Sequence, residues 1–232
     1  MVTTITGQCG GSFSDGKGAV QEKSRKSQER REALLQSAAK VFLEQGYEAT
    51  SIDAIIGVAG GSKRSIYSEF GNKQGLFTAI VTQSADRALS TLVLEEIESS
   101  DLPTTLQAFG RNLMEVYMSP TLIGIYRIAV TEANRFPDLV KSFYDQGPGR
   151  ATSRLSRVLE QAAGRGEIRA GDCERAAGHF VAMIRDNLHL QVVLGLRSAP
   201  SRKEMHVAVD SAVDLFLHGV GAPEPGKVRQ HR

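Results

Sequence analysis

Four consecutive residues, Ser62-Lys63-Arg64-Ser65, follow a pair of glycines and combine two cations with two hydroxyl groups. A guanidinium such as that of Arg64 can donate two parallel hydrogen bonds to the edge of a guanine, and hydroxyls can donate to phosphate or to a base edge. Such a group reads a duplex when it lies at the exposed amino-terminal end of a helix, because that end enters the major groove. The tetrapeptide therefore indicates nucleic-acid chemistry if the flanking sequence builds such a helix.

The positive charge of the chain is concentrated around this tetrapeptide. The 232 residues carry 28 Lys and Arg against 26 Asp and Glu, a balance of +2 that does not by itself suggest a nucleic-acid partner. Between residues 17 and 75, however, ten basic residues face seven acidic ones, which gives a local charge of +3. Residues 76–232 carry equal numbers of the two signs, so the surplus lies in the first third of the chain.

The sequence around the tetrapeptide predicts short helices joined by a glycine turn. An apolar stripe at helical spacing from Leu34 to Phe42 predicts a first helix. Thr50-Ser-Ile-Asp53 resembles a capping box with Thr50 as the cap, and the helix that it opens ends at Gly60-Gly61. Ser62 can cap the next helix and Asn72 the one after it. Two short helices around a tight turn, in a basic region, are what a helix-turn-helix requires.

The stretch from about residue 30 to residue 80 resembles the DNA-binding domain of the TetR family of bacterial transcriptional regulators. The matching segments are AAKVFLEQGYEATSIDAI, which begins at residue 38, and AGGSKRSIYSEFGNKQGLF, which begins at residue 59. Their elements follow the family order: an aromatic residue and Gly-Tyr, then Thr-Ser, Ser-Lys, Ile-Tyr, Phe, Asn-Lys and Leu-Phe. The helical periodicity predicts an all-α chain, and the resemblance implies a three-helix DNA-binding domain followed by a helical bundle for effector binding and dimerisation.

The resemblance also implies roles for individual residues in binding DNA. Thr50 and Ser51 would hold a phosphate at a helix N-terminus, where backbone N–H groups are unpaired. Tyr67 would give its hydroxyl to phosphate, and Lys73 would contact phosphate beyond the recognition helix. The complete DNA-binding set is Thr50, Ser51, Ser62, Lys63, Arg64, Ser65, Tyr67 and Lys73.

The second half of the chain resembles, more loosely, the ligand-binding half of AefR-like and other efflux-type repressors. The resemblance rests on RIAVTEANRFPDL, which begins at residue 127, and on FYDQGP, which begins at residue 143. A small-molecule effector is therefore expected, and aromatic, methionine and a few polar side chains could line its pocket, although at helical spacing each could equally belong to the core. The candidates are Phe109, Leu113, Met114, Tyr117, Tyr126, Arg127, Phe143, Tyr144, Met183 and Asn187, with His189 as a further polar group.

The same resemblance implies a homodimer whose interface is a four-helix bundle made by the last two long helices of each subunit. Apolar residues at the required spacing give the interface candidates Ala177, Phe180, Ile184, Leu188, Val209, Val213 and Phe216. The predicted domains are a flexible arm (1–22), the DNA-binding domain (23–76), the ligand-binding and dimerisation domain (77–220) and a flexible tail (221–232).

The sequence lacks the residues that disulfide bonding, metal binding or catalysis would need. Cys9 and Cys173 cannot form a disulfide framework or a four-ligand zinc site, and the five histidines show no metal-binding spacing. No nucleophile and base are evident, so we expect neither a cofactor nor a metal nor catalysis. The chain shows no secretory signal and no apolar run long enough for a bilayer, so a cytoplasmic protein without a membrane partner is expected.

The sequence thus predicts a ligand-responsive transcriptional regulator, a repressor released from operator DNA by a small apolar or amphipathic effector. Two alternatives stay open. An activator would share every motif, and only the position of its operator relative to the promoter would distinguish it. A helical enzyme acting on a small apolar substrate would need catalytic groups for which the sequence offers no clear set.

Overall fold

The structure, a computed structural model, describes residues 15–90, 101–169 and 171–219, and in these ranges the chain forms ten α-helices. The helices are α1 (Asp15–Gln45), α2 (Ile52–Ala59), α3 (Lys63–Phe70), α4 (Lys73–Leu89), α5 (Leu102–Tyr117), α6 (Pro120–Thr131), α7 (Pro137–Gln146), α8 (Pro148–Gly164), α9 (Cys173–Val193) and α10 (Arg202–His218). No strand occurs within those three ranges, and the prediction of an all-α chain is confirmed.

The first helix begins earlier than the sequence suggested. Because α1 starts at Asp15, the part of the expected arm from residue 15 to residue 22 is helical rather than flexible. Glu22 pairs with Arg25 at 3.0 Å and with Lys26 at 3.1 Å, and oppositely charged pairs three or four residues apart stabilise an exposed helix. The remainder of the arm, residues 1–14, and the predicted tail of residues 221–232 lie outside the described residues.

Polar side chains fix the starts of the short helices in the first third of the chain. The Oγ of Ser51 accepts a hydrogen bond from the N–H of Ala54, and the Oγ of Ser62 accepts one from the N–H of Ser65. The cap of α2 is therefore Ser51, not Thr50 as the capping-box pattern suggested. Thr50 is buried instead, and its hydroxyl donates to the carbonyl of Gly46, because its methyl group lets it pack inside the core.

Two hydrophobic cores are present. The first is built by α1 to α4 together with α6 and α7, and it contains the rings of Phe42, Tyr47 and Phe77, whose centroids lie 5.6–5.7 Å apart. The second is built mainly by α5, α8, α9 and α10. There, Gly110 brings α5 against α10, since a Cβ at this position would lie 2.8 Å from Cγ1 of Val209. Each core buries aromatic and aliphatic side chains that together supply most of the driving force for folding.

The helix α4 belongs to both cores. Leu76 and Phe77, near its start, are fully buried in the first core, and Ala88, near its end, is buried in the second. The predicted domain boundary between residues 76 and 77 therefore falls inside a continuous helix. The α6 and α7 residues Ile125 and Leu139 also pack into the first core, so the two halves share side chains rather than being joined by a linker.

Truncating Phe77 tests this shared core. Phe77 is fully buried, and Phe77→Ala should lower the free energy of unfolding by about 3–5 kcal/mol, because a cavity remains where the ring packed. Tyr144→Ala, which removes an aromatic side chain that is 60% exposed, should change it by only about 0.5 kcal/mol. Urea unfolding followed by far-UV circular dichroism measures both. Equal losses for the two variants would contradict the assignment of Phe77 to the core.

Candidate nucleic-acid interface and ligand cavity

The turn between α2 and α3 is built from two glycines in the left-handed region of backbone conformation. Gly60 has φ of 74° and Gly61 has φ of 97°, values that side-chain-bearing residues rarely adopt. The N–H of Gly60 donates to the carbonyl of Ile56 at 2.8 Å and closes α2. Ile66 is the buried anchor of α3. The tight turn and this single anchor leave the first turn of α3 exposed to solvent.

The residues predicted to face the DNA groove are exposed together on α3. All four residues from Ser62 to Ser65 are exposed, and Tyr67, at the next turn, is 50% exposed. Lys63 forms an ion pair with Asp53 of α2 at 2.7 Å. Arg64 forms no hydrogen bond or ion pair with the described part of the chain, so its five N–H donors are available. The structure thus brings the groove-facing set onto one accessible helix end.

The two hydroxyls predicted to hold a phosphate are used differently by the protein. The Thr50 side chain is buried, and the Ser51 hydroxyl caps α2. The N–H groups of Ile52 and Asp53, at the start of the helix, have no acceptor within it. A phosphate at the start of α2 could therefore meet these N–H groups and the Ser51 hydroxyl, which accepts in its cap hydrogen bond and can still donate. The Thr50 hydroxyl, which already donates to Gly46, is not available in this way.

The ammonium group of Lys73 is also bound by other groups of the protein. Its Nζ donates to the carbonyls of Tyr47 at 2.7 Å, Glu48 at 3.0 Å and Thr50 at 2.9 Å, and it lies 4.6 Å from the centre of the Tyr47 ring. Burial lowers the pKa of Lys73 from its ordinary value, against the opposite effect of Glu48 and Glu132. All three ammonium donors are occupied, so the expected contact with phosphate would require Lys73 to leave these carbonyls. In the structure it ties the start of α4 to the loop between α1 and α2.

Replacing Lys73 distinguishes its hydrogen bonds to the α1–α2 loop from the predicted contact with phosphate. Lys73→Met should lower the free energy of unfolding by about 2–3 kcal/mol, because three carbonyls, two of them in partly buried hydrogen bonds, lose a charged donor. Lys40→Met removes an exposed lysine of α1 and serves as the control. Urea unfolding is the measurement. Unchanged stability, combined with a loss of about one ion from the salt dependence of DNA binding, would instead support the phosphate contact.

An apolar cavity of about 40 Å³ lies where the two cores meet. Five of its lining residues come from α4, and the others come from the loop before α8 and from α5, α6, α7, α8 and α9. The lining consists of Val81, Ser84, Ala85, Ala88, Leu89, Leu113, Val116, Tyr117, Leu122, Tyr126, Phe143, Gly147, Pro148, Ala151, Arg185 and His189. Four of the ten pocket candidates named from the sequence are therefore placed here: Leu113, Tyr117, Tyr126 and Phe143.

The other six pocket candidates lie outside the lining: Phe109, Met114, Arg127, Tyr144, Met183 and Asn187. Phe109 and Met114 are buried in the second core, and Tyr144 is 60% exposed. Arg127 donates to the carbonyls of Val192 and Val193 and so satisfies the end of α9. Helical spacing groups such residues on faces, but it does not tell which face borders an opening.

The cavity lining includes the polar side chains of Ser84, Tyr117, Tyr126, Arg185 and His189, of which Ser84 donates to the carbonyl of Ile80. The hydroxyl of Tyr117 is buried without a hydrogen-bond partner, and burial raises the pKa of Tyr117 to about 12. His189 packs against the rings of Tyr117 and Tyr126, with centroids 5.6 and 5.2 Å away. Burial, assisted by the charge of Arg185, lowers the pKa of His189 to about 4, so this imidazole is neutral near pH 7. Among these groups are therefore the unpartnered hydroxyl of Tyr117, one neutral imidazole and one guanidinium.

Sequence reasoning missed Arg185. Arg185 lies four positions before His189, a residue that the sequence did suggest for the pocket. Residues four positions apart share a face of a helix, and this spacing was the signal that could have identified Arg185. The helix α9 is broken between Arg185 and His189 at Asp186, whose φ of 32° is the one positive value among the described residues other than glycine. Residues on both sides of the break border the cavity. Arg185 and His189 line it, whereas Asn187, named from an unbroken helix, is exposed.

The low pKa of His189 predicts how stability depends on pH. The unfolded chain binds a proton at His189 below about pH 6.5, whereas the folded chain does so only near pH 4, so lowering the pH favours unfolding. The free energy of unfolding should fall by roughly 1–2 kcal/mol between pH 7 and pH 5. This loss should shrink in His189→Gln and persist in His179→Gln, which changes an exposed histidine of the same helix. Urea titrations at pH 7 and pH 5 measure the loss for each variant. An equal loss in both variants would contradict the assignment of the pH dependence to His189.

Five of the seven residues predicted for a subunit interface require correction, because they are buried in the second core of the same chain: Ala177, Phe180, Ile184, Val209 and Val213. The other two, Leu188 and Phe216, are only partly buried against that core and stay a prediction. An apolar stripe marks the face that a helix buries, but it does not say whether its own chain or a second copy covers it. The large apolar residues exposed in this region are instead Leu190, Leu194, Leu196, Val207 and Leu215.

The ranges that the structure covers lack two further kinds of feature. None of the helices there combines the length and apolar character needed to cross a bilayer. Nor do those ranges contain three or more histidine, cysteine, aspartate or glutamate side chains grouped so that they could hold a metal ion.

Comparison with protein families gives two matches, one for each half of the chain. Residues 34–80 match the family described as bacterial regulatory proteins of the tetR family. Residues 104–219 match the family described as the C-terminal domain of AefR-like transcriptional repressors. The first match contains α2 and α3, and the second contains most of the cavity lining outside α4. Both agree with the resemblances noted in the sequence.

Individual relatives agree with the family matches. The transcriptional repressor ComR of Escherichia coli is 42% identical over 57 residues, which cover 25% of this chain and 27% of ComR. The helix-turn-helix transcriptional regulator YvkB of Bacillus subtilis is 27% identical over 191 residues, 82% of this chain and 96% of YvkB. A regulator of the same class from Mesorhizobium loti, solved by crystallography, is 27% identical with a TM-score of 0.69, covering 82% of this chain and 96% of that one. All three are described as regulators of transcription.

Proposed function

The chain belongs to the TetR family of bacterial transcriptional regulators, and from this we propose that it represses transcription by binding operator DNA through α3 until an effector enters the cavity beside α4. The effector is a small amphipathic molecule, because the cavity lining is largely apolar with a few polar groups on its border. An activator with the same binding surfaces is the alternative, and mapping the operator relative to the promoter distinguishes the two.

The observation that carries this proposal is the course of α4. The helix begins at Lys73, whose ammonium group is tied to the α1–α2 loop of the DNA-binding half. The same helix then contributes Val81, Ser84, Ala85, Ala88 and Leu89 to the cavity. A helix moves as a rigid element, so a ligand that displaces the second half of α4 also displaces its start. The position of α3 thereby depends on what the cavity contains.

The small size of the cavity favours such a displacement. Its volume of about 40 Å³ leaves room for little more than one or two water molecules. Pockets that hold drug-sized ligands are on the order of 300–1,000 Å³. An effector therefore enters only as the surrounding helices move apart, and this shift of population toward the open state favours release of DNA.

A second set of contacts joins the ligand-binding half to the DNA-binding half. Ile125 and Ala129 of α6 are buried in the first core. Arg135, in the loop after α6, forms an ion pair with Glu48 in the α1–α2 loop. Phe136 packs its ring 5.1 Å from that of Tyr47. These contacts reach the same loop that Lys73 holds, so movements of α6 and of α4 act on one segment of the DNA-binding half.

The proposed assembly is a homodimer that reads two half-sites. Two copies are needed because one α3 contacts only a few base pairs, and a second helix in the next major groove supplies the remaining affinity and specificity. The exposed leucine and valine side chains near the end of α9 and on α10, Leu190, Leu194, Val207 and Leu215, favour this surface as the interface. Burying them against a second copy removes apolar area from water.

The test is DNA binding by a variant of α3. A duplex selected from a random library by the full chain is labelled, and binding is followed by fluorescence anisotropy at several salt concentrations. Arg64→Ala should weaken binding by roughly tenfold or more and relax the preference at one base pair, because a bidentate contact to a base contributes about 1–3 kcal/mol of discrimination. Arg175→Ala removes an exposed arginine at the start of α9 and should leave binding unchanged.

Two results would contradict this assignment. If no duplex is enriched by the full chain, the proposed DNA-binding role fails. If Arg64→Ala lowers affinity equally for the selected duplex and for every single-base variant of it, Arg64 contacts the phosphate backbone and does not read a base.

A further inference from the structure

Arg185 is the single charged side chain that lines the cavity, and it has no acidic partner in the part of the chain that the structure describes. The guanidinium forms neither an ion pair nor a hydrogen bond there, and it lies over the ring of Tyr126, 5.9 Å from the ring centre. The lining contains no aspartate and no glutamate. A partly buried positive charge facing an apolar opening without a counter-charge attracts an anion.

The hydroxyl of Tyr117 is a second unused group at the same opening. It is buried, and no acceptor in the described ranges lies within hydrogen-bond distance. Because its pKa is raised to about 12, the phenol keeps its proton at neutral pH and can donate to an anion. A buried donor without a partner costs free energy, so a ligand that supplies an acceptor there gains affinity.

Resting on the effector role proposed for this cavity, we propose that the ligand is a small amphipathic monocarboxylate, whose carboxylate binds Arg185 and Tyr117 and whose apolar body contacts Val81, Leu113 and Phe143. A guanidinium binds a carboxylate through two parallel N–H donors, which gives both affinity and orientation. The apolar lining supplies the surface that the hydrocarbon part of the ligand buries.

His189, another polar residue of the lining, is compatible with an anion and adds no second charge. His189 is neutral near pH 7 because burial and Arg185 lower its pKa to about 4. A neutral imidazole can accept or donate one hydrogen bond. The charge available to a ligand is therefore that of one guanidinium, which matches one carboxylate. An amine would be repelled by Arg185, and an alcohol would leave the guanidinium without a counter-charge.

The experiment compares ligands that share a hydrocarbon and differ in the head group. Isothermal titration calorimetry of the full chain is carried out with octanoate, octanol and octylamine, and with cinnamate and cinnamyl alcohol. At least one carboxylate should bind roughly tenfold more tightly than its alcohol, since a hydrogen bond to a charged group contributes about 1.5–3 kcal/mol. Octylamine should bind more weakly than octanol.

Variants assign the preference to the two side chains. Arg185→Gln should abolish the difference between carboxylate and alcohol, and Arg185→Lys should restore part of it because a cation remains. Tyr117→Phe, which keeps the ring, should weaken carboxylate binding by roughly threefold to tenfold and leave alcohol binding unchanged. The control is Arg175→Gln, which changes an exposed arginine of the same helix. Circular dichroism establishes that each variant is folded.

The outcomes separate this inference from the proposed function. Equal affinities for carboxylates and alcohols, or a preference that survives in Arg185→Gln, would overturn the carboxylate assignment. Failure of both carboxylates to bind would overturn it as well. If an alcohol releases the selected duplex as effectively as its carboxylate does, the effector role stands and the anion preference is wrong. If a carboxylate binds through Arg185 but leaves the duplex bound, anion recognition stands and the effector role fails.

Discussion

The ammonium group of Lys73 donates to three carbonyls of the α1–α2 loop, and the relation between the two halves of the protein depends on this contact. It fixes the start of α4 to the helices that present α3. Because α4 then runs on without a break into the second core, the orientation of its far end and that of its start are linked. A charged donor on backbone carbonyls is suited to this task, since it is stronger than a neutral hydrogen bond and independent of the side chains in the loop.

The two halves of the protein that α4 joins offer different kinds of site. In the first half, the exposed hydroxyls and cations of Ser62 to Ser65 on α3 are solvated and can exchange water for phosphate and base edges. In the second half, an apolar cavity holds an unpaired guanidinium and a phenol without a partner. The second arrangement is costly in the absence of a ligand because buried polar groups that lack partners are destabilising. The cavity is therefore a place where a ligand can change the free energy of the protein substantially.

The break in α9 at Asp186 lies next to residues that line the cavity. Its backbone has φ of 32°, a conformation that costs on the order of 1–2 kcal/mol for a residue with a side chain. The residues on either side of the break, Arg185 and His189, both line the cavity. Just beyond them, α9 is held to α6 by Arg127, which satisfies the carbonyls of Val192 and Val193. Helix α9, which carries exposed leucines at its end, thus also forms part of the cavity lining.

The sequence by itself determined the class of the protein and the location of its DNA-contacting helix. The glycine pair, the serine caps and the apolar anchors of α2 and α3 are local signals, and each depends on residues only a few positions apart. The groove-facing set from Ser62 to Ser65 is exposed together for the same reason. What the tertiary structure decided depends on residues far apart in the chain. Only packing showed that Lys73 reaches carbonyls 23–26 residues away, that Arg127 caps a helix 65 residues on, and that Phe180 and Val209 are covered by their own chain. Apolar or charged residues at helical spacing indicate that one face of a helix contacts another part of the protein or a ligand. Which part it contacts is determined by how the helices pack.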